Sequence, residues 1–322
     1  MKLIPAVEKF KGTLLGCACG DALGAPIEGM PQMLIRKRYG VVKDFLDERF
    51  GTGKITDDTQ MTVCLAQSIV EFGRFERDHA AYRFAVWMEN SDKKIKEARG
   101  VGMACATACR RLYKGESPGK SGVDSAGCGA AMRASPIGLR YFNDPEMLKK
   151  TSIEQALITH KNSKAVAGAV AVAYSVALGI KDFGNLDKEW FIDEISKITS
   201  DIDSEFSRKI RGLSKCLDSP IEEGFAYTGN GGYVMETVPG ALLSFLYKPY
   251  DLEEAIINSV NAGGDTDSLG AITGAISGAF NGIEKIPDRW KENVEGRSYI
   301  EGLAEKLYTL SPAYQYKTRT LI

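Results

Sequence analysis

Two short acidic clusters, more than 200 residues apart in a chain of 322, carry the side chains best suited to chemistry. The first is Thr56-Asp57-Asp58-Thr59 and the second is Gly264-Asp265-Thr266-Asp267-Ser268. Each sets two carboxylates and at least one hydroxyl close together and runs into an apolar, helix-like stretch. Carboxylates this close repel one another, and packing has no need of them. A hard divalent cation does: Mg²⁺ and Mn²⁺ take oxygen ligands from carboxylates, hydroxyls and water. Brought together, the clusters would supply four carboxylates and two or three hydroxyls. That set suits two cations roughly 3.5–4 Å apart that share a bridging carboxylate. Taken singly, each cluster reads first as a helix start, because Ser, Thr and Asp are favoured N-caps and an acidic first turn complements the helix dipole. Two clusters of the same chemistry in one chain shift the reading to a metal site, and a helix start can serve both roles.

Three further constellations invite chemistry. Ser125-Ala126-Gly127-Cys128-Gly129-Ala130-Ala131-Met132-Arg133 places two glycines before a helix-like run. Free N–H groups at a helix start attract anions, and glycines let a phosphate approach them. The stretch lacks the Lys-Ser/Thr ending of a nucleotide P-loop, so simple kinase or ATPase chemistry is not supported. Taken alone, it is first a turn that opens a helix. Glu28, between Pro26 and Gly29, is either a solvated loop residue or a gate or general base. His160, after Thr159 at a predicted helix end, is either a C-terminal cap or a contact to a ribose or base.

The elements that must position these residues are helical. Apolar residues recur at three- and four-residue spacing over Leu3–Cys19, Thr59–Phe72, His79–Met88, Lys96–Tyr113, Gly129–Tyr141 and Ile153–His160. The same spacing predicts helices over Ser163–Leu178, Tyr233–Leu246, Leu252–Val260, Ser268–Phe280 and Arg297–Leu310. Strand-like alternation is weak, with Val41–Phe45 the best candidate. No Pro/Gly/Ser-rich linker and no internal repeat divides the chain. The expectation is an all-α fold, one compact multi-helix domain over residues 1–322. The helices after His160 and after Asp267 are rich in Gly and Ala, which lets helices cross closely, so these two are expected at the centre.

Composition narrows the function classes. The formal net charge of −1 leaves no electrostatic footprint for nucleic acid or an anionic membrane. Seven cysteines, an odd number without a CxxC pair, and two histidines fit a reducing compartment and not a His-rich zinc site. The charged N-terminal stretch does not read as a secretory signal, and Ala165–Ile180 reads as a buried core helix too short to span a bilayer. The protein is expected in the cytoplasm.

The ordered set of motifs resembles the ADP-ribosylglycohydrolase family over nearly the whole chain. It comprises Gly16-Cys17-Ala18-Cys19-Gly20-Asp21-Ala22-Leu23-Gly24 with Pro26 and Glu28, Thr56–Met61, Gly127–Pro136, and Thr159-His160. It continues with Gly232-Tyr233-Val234, Glu236, Thr237, Pro239 and Ala241, then Gly263–Ser268, and Ile286-Pro287 with Arg289-Trp290. The resemblance implies an all-helical fold binding two Mg²⁺ or Mn²⁺ ions and ADP-ribose. By position, it implies that Thr56, Asp57, Asp58 and Asp267 hold one ion. Asp265, Asp267 and Ser268 would hold the other, with Asp267 bridging. Ser125, Gly127, Cys128 and Gly129 would meet the diphosphate, with His160 and Tyr233 also on the ligand. Glu28 matches a glutamate near the reacting bond, and Glu28 or Asp57 would manage the proton. Two departures stand out: Ser268 where Thr is common, which keeps the hydroxyl, and Cys128 where Asn is frequent, which loosens a polar contact.

The leading expectation is a Mg²⁺- or Mn²⁺-dependent hydrolase that cleaves the glycosidic or ester bond between ADP-ribose and an acceptor such as a modified protein side chain. The alternatives are a catalytically silent ADP-ribose-binding or structural protein on the same scaffold, and a two-metal nucleotide phosphoesterase. Ligand-type residues at all six metal positions weigh against the silent protein. Arginine, serine, an acetyl ester of ADP-ribose and a nucleobase all stay open as the acceptor.

Overall fold

Glycines at every fourth position set up the central helix pair. In the first helix, Val7–Gly24, these are Gly12, Gly16, Gly20 and Gly24, which fall on one stripe of the helix. The helix Thr266–Asn281 carries Gly270, Gly274 and Gly278 at the same spacing. In the computed structural model, which describes residues 6–93, 98–182, 184–311 and 314, the two stripes face each other antiparallel. Gly12 meets Gly278, Gly16 meets Gly274, Gly20 meets Gly270, and Gly24 meets Thr266. A Cβ on Gly274 would lie 2.0 Å from the Gly16 carbonyl oxygen, and one on Gly16 would lie 2.4 Å from that of Gly274. Backbone therefore touches backbone, and the register admits no slip. It also sets the end of the first helix beside the start of the second, which is where the chemistry gathers.

Other helices wrap this pair. Ser163–Lys181 is buried continuously from Ala165 to Ile180 and packs on Thr266–Asn281, Ser135–Tyr141, Pro145–Leu157 and Val234–Tyr247. The glycine- and alanine-rich helices are thus central, as expected. At 19 residues the helix is long and apolar enough to cross a membrane, which corrects the expectation that the stretch is too short. Its burial inside the protein marks it as a core helix. The described residues hold seventeen α-helices and no β-strand, so the chain is all-α, in one compact domain.

Several boundaries differ from the periodic expectation for local reasons. Val41–Phe45 is irregular instead of a strand. The Asn261 amide accepts from the Val42 N–H and donates to its carbonyl, both at 2.9 Å, where a neighbouring strand would otherwise pair. The Lys96–Tyr113 run becomes a helix only at Met103, because Gly100 adopts φ +76° and breaks it; residues 94–97 lie outside those described. Gly129–Tyr141 is not one helix but a 3-10 turn, Cys128–Ala130, followed by Ser135–Tyr141. The helix expected at Ile153–His160 spans Pro145–Leu157, capped by Asp144, and His160 lies beyond it. Of Leu3–Cys19, residues 3–5 lie outside those described, and the helix runs on to Gly24. Polar helices with narrow apolar faces, such as Lys188–Thr199 and Ser204–Arg211, escaped the period analysis. Their caps Asp187 and Asp203 were legible as N-cap residues.

The glycine contact gives a direct expectation. Gly274→Ala forces the two helices apart, and overpacking of this kind costs about 1–3 kcal/mol or more. Gly302→Ala, in the helix Arg297–Thr309 with nothing within 4 Å of the added Cβ, is expected to be neutral or to stabilise by up to ~1 kcal/mol. Urea midpoints at unchanged slope measure both, and equal midpoints for the two variants would show that the close approach is not needed.

Candidate active site

The antiparallel helix pair is closed at one end by backbone bonds. The Thr266 hydroxyl donates to the Gly24 carbonyl at 2.8 Å. Gly29 N–H donates to Gly264 O at 2.7 Å, and Gly264 N–H donates to Met30 O at 3.0 Å. Gly264 itself, at φ +76°, passes so close to the Asn230 carbonyl that a Cβ would lie 2.2 Å from it. The Glu28 turn and the Asp265–Ser268 helix start are thereby held side by side. Ligand-type oxygens of Glu28, Asp265 and Asp267 lie within 4.8 Å of one another.

The first acidic cluster is brought in by a residue to which the sequence assigns no role. Asp21, fully buried on the first helix, accepts from Thr56 N–H at 2.9 Å, Thr56 Oγ1 at 2.8 Å, Thr59 N–H at 3.1 Å and Thr59 Oγ1 at 2.5 Å. It caps the Asp57–Phe72 helix from another element and so docks that helix start onto the first helix. Burial raises the Asp21 carboxyl to about 6, against the pull of these four donors. The motif Gly20-Asp21 stood in the sequence, but nothing local marked its role. Thr56 lies behind the cavity wall, its hydroxyl proton directed to Asp21 and its oxygen 3.3 Å from Asp58 Oδ2.

Charge in the assembled site is unbalanced. Burial, then the nearby Asp21 charge, pushes Asp57 up to about 8. Burial and repulsion from neighbouring carboxylates hold Asp58 and Asp267 well above the usual range. Asp58 Oδ1 is buried with no hydrogen-bond partner. Among the described residues lining the cavity there is no Lys or Arg. The Arg49 guanidinium pairs with Glu28 Oε2 and also reaches Ala25 O. Buried carboxylates with an orphaned oxygen and no basic partner fit a divalent cation, in donor type and in charge.

These carboxylates form the floor of a cavity of about 460 Å³, lined also by Ser125, Gly127, Cys128, Gly129, His160, Gly232 and Ser268. Of the residues expected to meet ligand, Ser125, the two glycines, Cys128 and His160 converge here. The Tyr233 side chain does not: it is 42% exposed and lines a neighbouring depression with Arg208, Lys209 and Glu236. Its backbone matters instead, since it bridges to Gly127 while Val234 N–H donates to Ala126 O at 2.9 Å. The expected row of free loop N–H groups is also modified. Cys128 N–H donates to Gly232 O at 3.1 Å, and Gly127 N–H reaches Ser125 Oγ at 3.3 Å. The Cys128 thiol points to the second acidic cluster, 3.2 Å from Asp265 Oδ2 and 3.4 Å from Ser268 Oγ.

A further wall of the cavity has no motif of its own in the sequence. Gly100, Gly102, Met103, Ala104 and Cys105 line the cavity. Arg99 O accepts from Asp57 N–H at 2.8 Å. The two glycines were the available signal, hidden inside what reads as a single helical period.

Comparison with known proteins shows the family. The family model for ADP-ribosylglycohydrolase matches residues 4–316. The chain is 38% identical to an "uncharacterized protein" of Archaeoglobus fulgidus, over 94% of this chain and 97% of that one. It is 30% identical to ADP-ribosylhydrolase ARH3 of Xenopus tropicalis, over 94% of this chain and 96% of that one. A solved structure titled as an ADP-ribosylglycohydrolase-related protein complex superposes with a TM-score of 0.77 at 29% identity, covering 95% of this chain and 98% of that one. The chain belongs to the ADP-ribosylglycohydrolase family.

Proposed function

We propose that this protein is a divalent-metal-dependent ADP-ribosyl hydrolase, which cleaves the bond between ADP-ribose and an acceptor such as a modified protein side chain. The observation that carries the metal dependence is that Asp57, Asp58, Asp265, Asp267 and Glu28 line one cavity, with Asp58 Oδ1 buried and unpaired and, among the described residues, no lysine or arginine on the wall. Thr56, Asp57, Asp58 and Asp267 would hold one cation, and Asp265, Asp267 and Ser268 a second. Bound Mg²⁺ or Mn²⁺ supplies Lewis acidity and a fixed positive charge beside the ribose diol.

The chain's own residues do the rest. Ser125 and the Gly127–Gly129 turn line the cavity and would receive the diphosphate. Glu28 sits at the rim with Oε2 held by Arg49, which leaves Oε1 to accept a proton from an attacking water. Cys128 lies against Asp265 and Ser268 instead of pointing outward, so its side chain is not the main diphosphate contact. Cys128→Ser is therefore expected to change ADP-ribose affinity by less than about tenfold, or ~1.4 kcal/mol, in a calorimetric titration. A thousandfold loss would assign the thiol itself to ligand binding.

The deciding assay is turnover of defined ADP-ribosyl linkages with Mg²⁺ or Mn²⁺ and with EDTA. Release of intact ADP-ribose that stops on chelation is the expected result. Release of AMP would select a phosphoesterase, and no turnover of any linkage a silent binding protein.

A further inference from the structure

Arg133 is a fully buried arginine with no carboxylate partner among the described residues. All five of its N–H donors are nonetheless used. Nε donates to Gln155 Oε1 at 3.0 Å. One terminal nitrogen donates to Gln155 O at 3.1 Å and to Thr159 Oγ1 at 2.7 Å. The other faces Met61 Sδ at 3.7 Å and Cys105 Sγ at 3.8 Å. The guanidinium also stacks 4.5 Å over the Phe84 ring. Such a group is fixed in place, and it can only donate.

Thr159 Oγ1 lies between this guanidinium and His160 Nδ1, which is 2.8 Å away. The oxygen accepts from Arg133, so its single proton is free for Nδ1. The opposite arrangement, in which Nδ1–H donates to Thr159, would leave a buried hydroxyl proton with no acceptor, which carries a desolvation penalty. Thr159 is fully buried, so no water relieves that penalty. Burial and the Arg133 charge also hold His160 neutral, with its pKa lowered to about 3. The backbone is clamped as well: Val123 N–H donates to Thr159 O at 3.0 Å and Lys161 N–H to Val123 O at 2.8 Å. Nε2 has no partner among the described residues, and His160 lines the cavity beside Gly127 and Gly129.

We infer that Arg133 is a positioning residue that, through Thr159, locks His160 in the neutral Nε2–H tautomer, so that the imidazole presents a fixed hydrogen-bond donor to the ligand cavity. His160 then reads an acceptor atom of the bound ligand and cannot take up a proton at Nε2. This role rests on the ADP-ribose reading for the identity of the ligand but not for the tautomer.

The chain has only two histidines, so ¹⁵N-histidine labelling of the intact protein leaves His79 and His160 to assign. Long-range ¹H–¹⁵N spectra at neutral pH, without ligand, should show His160 Nδ1 unprotonated and Nε2 protonated. The same spectra should show this tautomer kept in Thr159→Ser, which retains the hydroxyl, and lost to a mixture in Thr159→Val, which retains the shape. A protonated Nδ1 in the wild type, or an unchanged tautomer in Thr159→Val, would overturn the inference. Added ADP-ribose should then shift the His160 Nε2 signal, and Thr159→Val should weaken its binding by about threefold to tenfold. If the tautomer is as stated but ADP-ribose perturbs no signal, the ligand reading fails and the positioning role stands.

Discussion

Asp267→Asn is expected to abolish cation binding and turnover while leaving the cation-free protein at least as stable as the wild type. Asp267 is 3% exposed and faces the charges of Asp58, Asp265, Glu28 and Asp21. Removing one negative charge from that group relieves repulsion, and Asn keeps the Oδ1 that accepts from Ser268 N–H at 3.0 Å. The same change replaces the carboxylate expected to be shared by two ions with a neutral amide. A ligand at a hundred times its Kd stabilises the folded state by about 2.7 kcal/mol, so Mg²⁺ or Mn²⁺ should raise the wild-type Tm clearly and that of the variant little. Thermal unfolding with and without cation, run beside the turnover assay, measures both halves. An unaltered cation-induced rise in Tm, with full activity at limiting cation, would remove Asp267 from the metal site. A structural defect is separable from this, because it would lower the Tm of the cation-free form.

Glu28→Gln carries the other large effect. A general base typically contributes roughly 10²–10⁴-fold, so kcat should fall by about a hundredfold or more while ADP-ribose affinity stays within a few-fold. Removing an interaction made only in the transition state spares ground-state binding. The fold adds a distinction that spacing could not supply, because Glu28 lies in the same oxygen cluster as Asp265 and Asp267 and is tethered by Arg49. As a base alone, its loss leaves cation affinity unchanged. As a ligand, its loss weakens cation affinity in step with kcat. An unchanged kcat would pass the role of base to Asp57, and collapse of ADP-ribose binding would make Glu28 a ligand-positioning residue. Arg49 at φ +52° is the one non-glycine residue with positive φ among those described, and it marks where the backbone bends to bring this guanidinium onto the Glu28 turn.

The features legible in the sequence are those whose signal is local. Two clusters of carboxylate and hydroxyl donors in one chain raise the expectation of a cation, and the three- and four-residue period of Leu252–Val260 or Ser163–Leu178 predicts helix. The motif order placed the chain in its family without any contact being known. What these signals do not carry is distance. That Asp21 caps a helix 36 residues further on depends on the docking of two helices, and no residue near Asp21 encodes it. The four-residue glycine stripes were visible as letters, but only their mutual registry, Gly16 on Gly274 and Gly20 on Gly270, shows why no side chain is tolerated and why the two acidic clusters end at one pole. Tertiary packing also turned the Tyr233 side chain out of the cavity, directed Cys128 N–H to Gly232, and set Gly100 and Gly102–Cys105 as a wall that reaches the Gly129 turn. Arg133 is the plainest case, a charged side chain in a Gly-Ala-Met run whose five acceptors come from four other residues. Side-chain chemistry and period are properties of neighbours in the chain, whereas convergence is the sum of long-range contacts and exists only once the helices are packed.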